Sequence, residues 1–242
     1  MAAEARDESV TPMPVPADAP GVLLFGGTFD PPHRGHTEPA AAARDAMMPP
    51  GSWLVFVPAA RSPHKSAAPA TSAAHRVAML RLAIAPLARA VVWTDEIDRA
   101  ARASEEPSWW VETLRRAKRA LPPGTALRFL IGSDQAAAFH RWREFREVLA
   151  LAEPVVVLRE PIADAATLDA ALEASGEWTA AERRAWQERI APGPIILASA
   201  TAIRARLAGL PPPSPETSRF VASVLERSVL EYARSHGLYA DG

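Results

Sequence analysis

Two histidines, His33 and His36, carry the strongest chemical signal in the chain. They flank Gly35 within the stretch GGTFDPPHRGH, residues 26–36. An imidazole beside a phosphate is biased toward its charged form, so a pair can neutralise charge developing on phosphorus. Gly26 and Gly27 let a phosphate approach the backbone with no Cβ in the way. Pro31 and Pro32 keep the approach extended and delay the helix that follows. That helix start adds free amides and a dipole that favour an anion, and a nucleotide phosphate suits it.

For these groups to converge, a strand must deliver the glycines and a helix must carry the histidines. Residues 22–25, Val-Leu-Leu-Phe, read as the strand, and 37–48 as the helix, with Pro39 in a first turn whose N–H groups need no partner. Further strands are expected at 53–57, 91–93, 127–131, 155–158 and 195–197. Between them, Ser72 caps a helix bearing Val77, Leu80 and Ile84 on one face, and 107–120 and 145–151 are also helical. Residues 167–190 read as two helices split near Gly176. A helix at 200–207 and one long terminal helix, capped by Ser214 and ending at Gly237, complete the chain. Alternating strands and helices mean a doubly wound, Rossmann-like parallel sheet covered on both faces. Ligands then bind at the carboxyl ends of strands near the topological switch point. The suggestive stretches 26–36, 58–65, 132–134 and 199–204 all fall at such ends.

The 242 residues suffice for one α/β domain, assigned to 21–242 with a helical C-terminal part at about 200–240. Residues 1–20, rich in Ala, Pro and acids, read as a disordered tail and lack the pattern of a signal peptide or membrane anchor. With 27 basic and 28 acidic residues the net charge is -1, so no broad basic field favours nucleic acid or an anionic membrane. No cysteine is present, which removes thiolate metal sites and Cys nucleophiles and fits a cytoplasmic protein.

The 26–36 stretch resembles the TFDPxHxGH form of the H-x-G-H motif in the nucleotidyltransferase superfamily, specifically the bacterial nicotinate-nucleotide adenylyltransferases. Ser62-Pro63-His64-Lys65 is similar to that family's PPHK loop, and Arg76 with Met79 to its RxxML helix. Ile131-Gly132-Ser133-Asp134 resembles IGxD, Trp142 stands where the family has a Trp, and 199–204 resembles S-[SA]-T-x-I-R. His236-Gly237-Leu238-Tyr239 matches its C-terminal HGLY. The chain departs from the family's SYT with Ser108-Trp109-Trp110, followed by Val111-Glu112-Thr113, a stretch similar to W-x-E-T of eukaryotic-type nicotinamide mononucleotide adenylyltransferases.

The resemblance implies adenylyl transfer from ATP, carried with Mg²⁺, to nicotinate mononucleotide, with no resident metal site on the protein. His33, His36, Lys65 and Arg204 would be catalytic. Gly26, Gly27, Thr28, Phe29, Gly132, Asp134, Ser199, Thr201 and Arg204 would join the two histidines around ATP, with Asp134 on its ribose. Thr28, His64, Lys65, Trp110, Trp142 and Arg159 would hold the mononucleotide, with Trp142 stacked on the pyridine ring. Asp30, before a proline, reads instead as a turn-stabilising structural residue. The alternatives are an amide-preferring or dual-specific adenylyltransferase, a pantetheine-phosphate adenylyl- or cytidylyltransferase, and a non-catalytic nucleotide sensor. A homo-oligomer is compatible with the sequence, and nucleic-acid and membrane partners are not expected.

Overall fold

The computed structural model describes residues 10–61, 68–102, 108–209 and 214–240. Five parallel strands form one sheet in the order β3-β2-β1-β4-β5: β1 Gly21–Gly27, β2 Trp53–Pro58, β3 Ala90–Val92, β4 Ala126–Gly132 and β5 Glu153–Val157. The chain winds outward from β1 through β2 to β3, then returns to lay β4 against the other side of β1. The switch point therefore opens between the carboxyl ends of β1 and β4.

Successive residues of each strand feed opposite faces, which is why the strands read as unbroken apolar runs. Val22, Leu24, Val55 and Phe129 enter the core under α4 (Trp110–Ala120) and α7 (Ala165–Ser175). Leu23, Leu54, Phe56 and Leu130 enter the second core with Ala40 and Ala43 of α1 (Arg34–Met47) and Leu80 and Ile84 of α2 (Ala73–Ile84). A third cluster joins Met79 of α2 to Ile203 of α9 (Ala200–Leu207) and to Val229 and Ala233 of the C-terminal helices.

Several sequence expectations are corrected. Pro39 lies inside α1, because the helix starts at Arg34 rather than 37. No strand forms at 195–197: Ile195 and Leu197 are 43 % and 72 % exposed, and the edge of β5 is taken by a bridge between Val156 and Ile190. The terminal helix is two, α10 (Pro215–Val224) and α11 (Arg227–Ser235), broken where Leu225 turns extended to bury its side chain. The 107–120 helix starts at Trp110, and an unexpected helix, α3 (Asp95–Arg102), precedes it.

Residues 10–20 are also not a loose tail. Met13 is buried, Val10 and Val15 pack on the core, and the Trp93 indole donates to the Thr11 carbonyl at 2.8 Å. The Thr11 N–H and hydroxyl bind Asp95 and Asp98, each at 2.9 Å. Composition missed this because a few apolar residues with good partners outweigh an Ala/Pro-rich background.

Candidate active site

The glycine turn begins within β1, whose last two residues are Gly26 and Gly27, paired with Val57 and Pro58 of β2, and His33 caps α1 in an extended conformation, φ −148°. The two imidazoles stack at 3.7 Å with 29° between planes. The His33 N–H donates to His36 Nδ1 at 3.3 Å, which assigns the His36 ring proton to Nε2. Phe29 precedes them in the left-handed region, φ 50°, a conformation costly for a non-glycine. Its ring is fully buried edge-on against Phe25, Phe56 and His36, and this packing holds the turn.

Beside the pair, a cavity of about 300 Å³ runs along the switch point. It is lined by Gly26, Gly27, Thr28, His36, Gly132 and Arg159 together with Glu96, Ser108, Trp109, Trp110, Trp142 and Arg143. Gly26 is obligatory on geometry: a Cβ there would lie 2.5 Å from the Trp110 ring. At Gly132 a Cβ would lie 2.6 Å from Asp134 Oδ1 and 2.7 Å from Arg159 Cδ. The glycines thus let an indole and an ion pair close on the backbone, which the phosphate argument alone had not foreseen.

Arg159 grips Asp134 through two contacts, Nε to Oδ1 at 2.8 Å and Nη2 to Oδ2 at 3.0 Å. The buried Ser133 hydroxyl fixes the Arg159 backbone, accepting from its N–H at 3.0 Å and donating to the Ile162 carbonyl at 2.6 Å. Asp134, expected to meet ribose, is engaged by this guanidinium in the free protein.

Ser199 caps α9, accepting from the Ala202 N–H at 3.1 Å. Arg204 donates to the Asp30 carbonyl at 2.7 Å and to the Thr201 hydroxyl at 3.3 Å. A Cβ on Gly35 would touch Ala198 at 3.4 Å, so the α9 start abuts the α1 start. The two helix beginnings expected to share one triphosphate are therefore neighbours. Gly26, Gly27, Thr28, His36, Gly132, Trp110, Trp142 and Arg159 line the cavity, whereas the expected site residues His33, Phe29, Asp134, Ser199, Thr201 and Arg204 are not among its lining. His64 and Lys65 lie outside the described residues.

Three participants escaped sequence reasoning. Arg76, fully buried, donates to the Thr28 carbonyl at 2.8 Å and steadies the glycine turn. Arg143 lies 5.2 Å over the Trp109 ring at the cavity mouth. Glu96 follows β3, so the rule that ligands bind at the carboxyl ends of strands points to it.

His33 differs from the expected cation. Burial, with the Arg159 charge nearby, pushes its imidazole down from 6.5 to about 4, so in the free protein it is neutral at physiological pH. A phosphate beside it would work against both causes. The depressed value makes stability depend on pH: between 6.5 and about 4 the unfolded chain holds a proton that the folded chain refuses. The contribution is complete above the upper value and is lost as pH falls through this window, by roughly 3 kcal/mol. His33→Gln should flatten that acid slope in urea-unfolding midpoints, and an unchanged slope would exclude His33 as its source.

The chain matches the family model described as cytidylyltransferase-like over residues 24–206. It is 36 % identical over 225 residues to a Chromobacterium violaceum protein named "Probable nicotinate-nucleotide adenylyltransferase", covering 90 % of this chain and 98 % of that one. A protein of the same name from Stenotrophomonas maltophilia is 34 % identical over 224 residues, covering 90 % and 96 %. The fold is shared with the Plasmodium falciparum nicotinic acid mononucleotide adenylyltransferase complexed with NaAD, at a TM-score of 0.63 and 14 % identity over 92 % of this chain and 98 % of that one. No helix among the described residues is long and apolar enough to cross a membrane. With the site geometry and relatives that align end to end, the chain belongs to the nicotinate-nucleotide adenylyltransferase family of nucleotidyltransferases.

Proposed function

We propose that the protein joins the adenylyl group of ATP to nicotinate mononucleotide, releasing pyrophosphate and forming nicotinate adenine dinucleotide for NAD synthesis. One observation carries this reading: a single cavity is lined both by a phosphate-type glycine turn with His36 and by indoles suited to a flat aromatic ring. A mononucleotide phosphate oxygen attacks the α-phosphorus in line, and the pyrophosphate oxygen leaves. No protein nucleophile is needed; the work is to gather two polyanions and offset their charge.

His36 and the turn amides face the reacting phosphate, while Ser199, Thr201 and Arg204 receive the β- and γ-phosphates at the second helix start. His33 backs His36, and the family likeness assigns His64 and Lys65 to the mononucleotide. Asp134 exchanges Arg159 for ribose hydroxyls when ATP arrives, freeing the guanidinium for the mononucleotide. Mg²⁺ enters as the ATP complex, ligated by phosphate oxygens and water. The reaction is placed in the cytoplasm, with ATP and the mononucleotide as the partners.

Pyrophosphate release from ATP and Mg²⁺ with nicotinate mononucleotide tests the proposal, and silence with every pyridine mononucleotide would favour a nucleotide sensor. In the same assay, Trp142→Ala should raise the KM for the mononucleotide about tenfold with kcat little changed, as for loss of a stacking contact of about 1 kcal/mol or slightly more. An unaltered KM would remove Trp142 from the ring site.

A further inference from the structure

The cavity lining that carries the indoles also holds a group that the adenylyl-transfer chemistry does not use. Glu96, the second residue of α3, is only 3 % exposed, yet it lines the cavity. It is the one acidic residue among the described residues that do so. The Thr113 hydroxyl from α4 donates to its Oε1 at 2.5 Å, and Ser108 bonds it from the segment leading to Trp110. The carboxyl is therefore built in from two elements on either side of the Trp109–Trp110 wall. Glu96 shares the cavity lining with Trp109, Trp110 and Trp142, the indoles on which a pyridine ring would stack. A mononucleotide whose ring stacks there brings the ring's substituent toward Glu96.

Resting on the functional reading above, we infer that Glu96 is a specificity-determining residue that discriminates the pyridine substituent, the neutral carboxyl accepting nicotinate and the carboxylate favouring nicotinamide. The chemistry is elementary. A protonated carboxyl donates a hydrogen bond to the substrate carboxylate, whereas two carboxylates in one dry pocket repel. A carboxamide N–H₂ instead donates to an ionised Glu96.

The surroundings make both forms accessible. Burial pushes Glu96 up from the usual carboxylate range to about 7, against the opposing pull of Thr113, Arg99 and Ser108, with Asp95 adding to the rise. Asp95 and Arg99 belong to α3 itself. Arg116 of α4 faces this region too but is paired with Asp95, Nε to Oδ2 at 2.5 Å and Nη2 to Oδ1 at 2.7 Å. Arg76 of α2 feels the Glu96 charge, while Arg143, Arg159 and His36 share the cavity wall.

The experiment measures kcat/KM for the acid and amide mononucleotides across pH, with ATP and Mg²⁺ saturating. The 5′-phosphate titrates in both substrates and cancels in their ratio. The acid-over-amide ratio should fall at least about tenfold from about pH 6 to about pH 8, the drop in the neutral fraction of a single group near 7, and by up to about a hundredfold where the ionised form also favours the amide. E96Q, permanently neutral and of equal size, should hold the ratio nearly flat. Thr113→Val removes a hydroxyl that stabilises the carboxylate, so it should move the midpoint to higher pH and keeps the test open if E96Q does not fold. A ratio flat in the wild type, or one that slopes identically in E96Q, or a midpoint unmoved in Thr113→Val, overturns the inference while adenylyl transfer stands. Turnover of neither mononucleotide overturns the functional reading and this inference with it.

Discussion

His36→Ala should lower kcat by at least about two orders of magnitude, the usual cost of losing a positioned donor to transition-state charge. His36 is preferred to His33 on geometry. Its ring lines the cavity, whereas His33 is 5 % exposed and lies behind it. The His36 tautomer is fixed by the His33 N–H, so the Nε2 proton is oriented without rearrangement at the moment of reaction. The variant should remain folded, since among its losses are the 3.7 Å ring stack, the ring contacts with Phe29 at 5.2 Å and Phe25 at 6.2 Å, and the acceptor for the His33 N–H, together about 2 kcal/mol. Single-turnover rates and an unfolding curve measured together separate the two effects. A rate within about fivefold of wild type would show that the charge on phosphorus is met elsewhere.

How much of this was legible in the sequence follows the range of the interactions. The β1 strand and a helix after the glycines and prolines are encoded locally and form, although β1 runs on through Gly26 and Gly27 and α1 starts at Arg34, before the expected 37. Trp110 and Trp142 were assigned to the mononucleotide through the family likeness, and the fold brings both to the lining of one cavity although β4 lies between them in the chain. Residues 195–197 failed because an apolar triplet looks the same whether it enters a sheet or lies along the surface. Only the capture of the β5 edge by Ile190, with Ala191 N–H on the Val156 carbonyl at 2.8 Å, decides it. The break between α10 and α11 is likewise tertiary. Leu225 is 2 % exposed, and the next residue, Glu226, meets Arg34 of α1 at 3.1 Å. Arg159 and Asp134 sit 25 positions apart, so their pairing was invisible, although each had been assigned to the site separately.

Asp30→Ala should cost about 3–5 kcal/mol of stability, although Asp30 touches no proposed substrate. The residue before a proline suggested a local turn; the structure gives it distant partners. Its carboxylate, in a residue 3 % exposed, accepts from the Ala70 N–H at 2.6 Å, the Thr71 N–H at 3.2 Å and the Thr71 hydroxyl at 2.8 Å. A fourth donor, the Tyr239 hydroxyl at 2.5 Å, arrives from the end of the chain. Burial and the Asp30 charge push the Tyr239 phenol well above its ordinary value, so it remains a donor at any working pH. Alanine leaves these donors buried and unmatched, and asparagine turns an N–H₂ toward them, so Asp30→Asn should recover little. Tyr239→Phe removes a single donor and should cost only about 1 kcal/mol. Asp30 also lends its backbone carbonyl to Arg204, so slackening this turn displaces the guanidinium at the second helix start. The KM for ATP should then rise in Asp30→Ala even at temperatures where the protein is fully folded. A urea midpoint within about 1 kcal/mol of wild type would mean that the C-terminal helices are fastened to the glycine turn by apolar packing of Ile203, Val229 and Ala233 on Met79 alone.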